Sequence, residues 1–196
     1  QMRALSATQL NSLSTTTVQA LESTQINALT STQVGGLTAA GVFNKLSTAQ
    51  VAVLSTDVLR AASTSAIQGV GTVQINALDS SQIQALTSSQ VQALSSTQLN
   101  NVETGQVKNL SSAQVQVLTS SQLNMMTSTA LQALDTVDVQ AIGTAVMQSL
   151  NSNALNGLAS TQIQALTSTQ LKALTTAQLN VLSANAVQAL DVDGVN

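Results

Sequence analysis

An aliphatic residue recurs every eight positions along this chain, at Leu5, Leu13, Leu21, Leu29 and Leu37; after one nine-residue unit the phase resumes at Leu46 and holds to Leu190. The octads follow L-[ST]-[ST]-x-Q-[ILV]-x-A, and Leu166-Thr167-Ser168-Thr169-Gln170-Leu171-Lys172-Ala173 is a clean copy. Position 6 is aliphatic in all 23 units, from Leu10, Val18 and Ile26 through Met147 to Val187, which marks it as a core position. A fixed short period of this kind specifies repeat architecture. Residues 1–196 therefore read as a single octad-repeat solenoid, with an irregular nine-residue unit at 37–45 and a truncated last unit at 190–196.

Three local structures compete for an octad. A continuous helix fails, because eight residues at about 100° each carry the apolar set about 80° further round at every repeat. A strand suits Ile163 and Ala165, which alternate with Gln162 and Gln164, but Leu166 then falls on the wrong parity. A short helix restarted in each octad fits most positions. Ser or Thr at position 2 with Gln at position 5 is the spacing of a capping box, and the aliphatic residues at positions 1 and 6 stand at hydrophobic-staple spacing. Position 2 is Ser, Thr, Asp, Asn or Gly in 20 of 23 units, and position 5 is Gln in 14. Glu22, Asp79, Glu103, Asp135 and Asp191 all fall at position 2, where a helix N-terminus favours negative charge.

The predicted fold is all-α: a solenoid or superhelix of very short capped helices, one per octad. Leu, Ile or Val and Ala are expected inside, and Ser, Thr, Gln and Asn outside. The alternative is a β-solenoid, which the scarcity of Asn-Gly, Asp-Gly and Pro turn signals disfavours.

Composition narrows the chemistry. The chain has no His, Cys, Pro, Trp or Tyr, so it offers no imidazole base, thiolate nucleophile or disulfide. An enzyme is not expected. Lys plus Arg number 5 against 8 acidic residues, a net charge of −3, which leaves no basic footprint for nucleic acid. Polar residues interrupt every apolar run well short of the roughly 18 residues that span a bilayer. The start, Gln1-Met2-Arg3-Ala4-Leu5-Ser6, does not read as a signal peptide and looks like a mature or excised end.

Few residues stand out as sites. The 37–45 unit carries Phe43, the one aromatic, and reads as a bulge filled by that ring in preference to a binding notch. Residues 57–71 and 136–157 lack the Gln and read as degenerate repeats or bends. Asp135 and Asp138, three apart, are the best carboxylate pair; a cap with a neighbouring solvated acid is the plainer reading. At the C-terminal end Asp191, Asp193 and Asn196 bring oxygen atoms together around Gly194, a candidate calcium loop with too few ligands for a full site. No other metal or cofactor is expected.

Runs such as Leu158-Ala159-Ser160-Thr161-Gln162-Ile163-Gln164-Ala165-Leu166-Thr167-Ser168-Thr169-Gln170 resemble the L-T-x-x-Q-[IV]-x-A-L arrays of large secreted or surface, adhesin-like proteins of Gram-negative bacteria. Leu190-Asp191-Val192-Asp193-Gly194 is similar to a segment that follows such arrays in repeats-in-toxin-type proteins, and Val195 and Asn196 depart from it. The resemblance implies an extracellular or cell-surface location and carries no catalytic residue. The expected function is a non-catalytic structural one, a repeat stalk, spacer or self-assembling filament subunit. Its partners would be further copies end to end, or neighbouring domains of a larger surface protein. The competing expectation is a surface-binding module for ice, glycan or mineral, presenting a Ser/Thr array on a flat face.

Overall fold

The computed structural model describes residues 1–101 and 104–190. Among these residues every octad carries one α-helix of four to six residues, 23 in all, from Ala7–Ser12 to Ala184–Ala189, and a 3₁₀ turn at Met2–Ala4 precedes them. No strand occurs among the described residues. The all-α solenoid is thus the fold.

The Leu166 octad shows why the helices restart. Thr167 is extended at φ −66°, ψ 154°, and its hydroxyl accepts the Gln170 N–H at 3.2 Å. Gln170 Oε1 accepts the Thr167 N–H at 3.0 Å, so two donors that the helix N-terminus leaves open are satisfied. The helix Ser168–Ala173 then ends at Leu174, extended at φ −63°, ψ 134°. The turn into the next helix is made by Leu174 and the extended cap Thr175, and no described residue has a positive φ. That explains how the chain reverses so often without Asn-Gly or Pro signals: the cap residue supplies the bend.

The chain groups into two compact units, residues 1–102 and 103–196. Within each, a helix packs on the third one after it. In the first unit Ser31–Gly35 lies on Thr56–Ala61, and Thr56–Ala61 on Ser80–Ala85; in the second Ser112–Gln116 lies on Thr136–Ala141, and Thr144–Gln148 on Ser168–Ala173. Positions 1 and 6 form the core, and position 6 is buried in every described octad from Leu10 to Ile163. Near the end of the second unit this fails: Leu171 is half-buried, and Leu179 and Val187 are exposed.

The nine-residue unit keeps its aliphatic Val42 inside and buries Phe43 at 1 % exposure. Room comes from Gly69, which lies so close to the Ala39 backbone that any Cβ there would collide with it.

Candidate functional site

The polar core of the array is the position-5 glutamine, which sequence reasoning had placed outside. Gln82, Gln90, Gln114, Gln162 and Gln170 are all buried, Gln90 to 1 % exposure. The reason lies in the second half of the amide. While Gln170 Oε1 holds its own cap, Gln170 Nε2 donates to Val139 O at 2.9 Å and Ile142 O at 2.8 Å, 31 and 28 residues earlier. Gln162 repeats this on Leu131 and Leu134, and Gln178 on Met147 and Leu150. In the first unit Gln50 reaches Val18 and Leu21, Gln82 reaches Val51 and Leu54, and Gln90 reaches Leu59 and Ala62. These carbonyls belong to the octads four and three back, so one superhelical turn holds between three and four octads. An amide has one acceptor and two donor hydrogens, and here all are used. A buried glutamine is stable only on those terms.

Position 7 supplies a second set of ties, running the other way. Asn27 Nδ2 donates to Val53 O and its Oδ1 accepts the Ser55 N–H, both at 2.8 Å. Asn124 does the same to Ser149 O and the Asn151 N–H, and Asn156 to Val181 O and the Ser183 N–H. Asn11 bonds Gly36 O and the Thr38 N–H. The four octads so clamped carry Val58, Ala154, Ala186 and Gly41 at position 5, none of them a glutamine able to hold its own cap N–H. Beneath some octads that keep their glutamine, position 7 is Gln and makes one bond, as in Gln140 Nε2 to Ala165 O and Gln19 Nε2 to Lys45 O; beneath others it is Ala52, Arg60 or Asn76. Gln132 Nε2 bonds Gly157 O beneath the Ala159 cap in the same way. In these octads a cap N–H is one donor, and it takes its acceptor either from its own position 5 or from an asparagine in the coil beneath. The octads opening at Ile142 and Ala62 have Val146 and Ala66 at position 5 and no asparagine beneath, and Ser63 instead turns its hydroxyl onto Leu37 O at 2.6 Å.

Two charged side chains sit where ladder amides would, one as a donor and one as an acceptor only. Gly41 occupies position 5 of the irregular unit, and Lys45 Nζ donates to Leu13 O at 2.6 Å and Asn11 O at 3.3 Å in its place. Asp138 occupies position 5 of its octad and is 3 % exposed, so it is not the solvated neighbour expected of it. Asp135 caps the helix Thr136–Ala141 by accepting the Asp138 N–H at 2.8 Å, and Ser112 Oγ donates to Asp138 Oδ1 at 2.9 Å. Burial raises the Asp138 carboxyl above the ordinary aspartate range; the Asp135 charge adds to the rise, and the Ser112 hydrogen bond offsets part of it. The pair is brought together as a capping box, with the Ser112 hydroxyl as a third polar group on Asp138.

Asp191, Asp193 and Asn196 lie outside the described residues. Among the described residues no three His, Cys, Asp or Glu side chains gather as metal ligands, and no helix is long and apolar enough to cross a membrane. What sequence reasoning missed was the role of position 7. Its signal was present: Asn or Gln fills that place in most octads, too often for a free surface position.

No curated protein matches the chain. The ALTTAQ repeat family model matches residues 2–39, 59–88, 100–136 and 131–168, well over half the chain. Those six letters stand in the sequence as Ala173-Leu174-Thr175-Thr176-Ala177-Gln178, a stretch that runs from the end of one helix through the cap Thr175 to the ladder glutamine Gln178. By repeat, by cap and by matched length, the chain belongs to the ALTTAQ repeat family.

Proposed function

We infer that this array is a non-catalytic structural spacer, a stalk or filament segment that works outside the cell. The observation that carries this reading is the glutamine ladder. The buried glutamines, polar groups that in an enzyme would be available for chemistry, are here committed to tying main chain to main chain between coils. The extracellular part rests on the resemblance to adhesin-like arrays of secreted and surface proteins. Single-molecule pulling tests the spacer: stacked coils that touch mainly their neighbours release in successive small extensions. One all-or-none release of the whole chain would overturn it. Protease treatment of intact cells tests the location, where cleavage without lysis is expected and protection until lysis counts against it.

A further inference from the structure

We propose that Asn156-Gly157 is a self-modification site: when the last turn of the helix Ser152–Gly157 opens, the Gly157 nitrogen attacks the Asn156 side chain, and the clamp that Asn156 makes on the coil above is broken for good. Asn156 is the one asparagine of the chain that is followed by glycine.

In the closed array both residues are committed. Asn156 Nδ2 donates to Val181 O at 2.9 Å and Oδ1 accepts the Ser183 N–H at 2.7 Å, while Gln132 Nε2 holds Gly157 O at 3.0 Å from the coil below. An amide so held cannot bring its carbon onto the Gly157 nitrogen, so the reaction waits for the clamp to let go. The pair nevertheless sits where a helix gives way most readily. Gly157 is the last helical residue, Leu158 after it is extended at φ −70°, ψ 146°, and Asn156 is exposed to water. Ala fills the place of Gly157 in the next two octads, at Ala165 and Ala173, so glycine here departs from the repeat at the residue that follows a clamp. Without a Cβ, that residue leaves its own nitrogen unshielded.

The chemistry balances with water as the one co-reactant. The Gly157 N–H gives its proton to solvent, the nitrogen bonds to Asn156 Cγ, and the Cγ–Nδ2 bond breaks; the leaving nitrogen takes up a proton and departs as ammonia. A five-membered imide then joins the two residues, and water opens it. Cleavage of the new bond to Cγ leaves an aspartyl residue at position 156. Cleavage of the original main-chain bond leaves an isoaspartyl residue, whose side-chain carbon has entered the backbone and lengthened it beyond helical spacing. In either product the donor that held Val181 O is gone. Asn124 is the internal contrast: it makes the same clamp, to Ser149 O at 2.9 Å and the Asn151 N–H at 2.8 Å, but Met125 follows it.

Peptide mapping by mass spectrometry, on the full chain held at one pH and temperature in native buffer and in urea, tests this. Asn156 should gain the mass of an amide-to-acid exchange in both, about tenfold or more slowly in native buffer because the reaction waits on a local opening. Asn124 should keep its amide in native buffer. Gly157→Ala places a Cβ 3.0 Å from Leu131 Cδ1, the tip of a flexible side chain, and leaves the clamp in place. It should suppress the native conversion with an unchanged helical circular-dichroism spectrum. Equal rates in native buffer and urea would show that the clamp does not gate the reaction, and an Asn156 that keeps its amide in native buffer would show that the fold does not use the site. Either result overturns the proposal, as does conversion undiminished in Gly157→Ala or matched at Asn124.

Discussion

Asn124 accepts the backbone N–H of Asn151 at 2.8 Å across 27 residues of chain, and Asn151 in turn accepts the Ala154 N–H at 2.8 Å. One asparagine therefore completes the cap that another begins, because Ala154 stands where the glutamine would be. Asn124→Ala should cost about 0.5–1.5 kcal/mol, since it hands the exposed Asn151 N–H and Ser149 carbonyl to water. Ala154→Gln in the same chain should recover part of that loss by closing the cap from within. Chemical denaturation of the two single variants and the double one measures the coupling, and strict additivity would show that the two residues do not share the donor.

The ladder predicts a sharp contrast between neighbouring glutamines. Gln90→Ala should cost roughly 2–4 kcal/mol, because it leaves the Thr87 N–H and the Ala62 carbonyl unbonded and takes one of two hydrogen bonds from the Leu59 carbonyl. Gln84, exposed at position 7, should tolerate Ala within about 0.5 kcal/mol. Thermal midpoints of the two variants decide it.

Within a cap the same logic applies one atom at a time. Thr167→Ala loses the hydroxyl that accepts the Gln170 N–H and should cost about 1 kcal/mol, whereas exposed Thr169 at position 4 should be nearly neutral to Ala. Equal shifts for both would refute the helix register.

The buried carboxyl gives a pH signature. Because folding raises the Asp138 pKa, the stabilising preference for its neutral form is fully present below the ordinary aspartate pKa and is lost as pH rises through the folded value. Asp138→Gln removes that dependence and, by the 31- and 28-residue offsets of the ladder, brings an amide to the carbonyls of Val107 and Leu110. The variant should be more stable than wild type by about 1–2 kcal/mol at about pH 7, with the difference shrinking toward about pH 4. Denaturation curves at both pH values check it; a pH-independent difference would show that Asp138 is not the titrating group.

Core damage should stay local. Leu123→Asp places an unpaired carboxylate at a position with no solvent exposure, and hydrogen exchange should lose protection chiefly in the octads of the adjoining coils. Leu171, the same position in the last coil, is only half-buried and should respond more weakly.

The period, the cap and the aliphatic core were legible because each is a local pattern: Thr167, Gln170 and Leu171 show their spacing within one octad. The inward turn of Gln170 was not, since it depends on Val139 and Ile142, whose approach follows from the number of octads per turn. That number depends on how short helices stack, and one octad does not encode it. Asp138 was misplaced for the same reason: its burial follows from lying at a ladder position, beside a serine 26 residues away. The asparagine clamps were written in the sequence as a correlation between position 7 and a position 5 several octads on, visible only once the coil length is known.

Arrays of near-identical octads invite gain and loss of units by misaligned recombination, and the clamp of Asn124 on Asn151 constrains where that can occur. Losing one octad between them would slide Asn124 beneath the Ala159 cap, whose N–H Gln162 already holds at 2.8 Å. The Asn151 cap would then sit above Gln116, a residue of the wrong length for that clamp. A chain that looks free to change its length is thereby keyed at intervals: an octad removed between a clamp and its target leaves the Asn151 N–H without its acceptor.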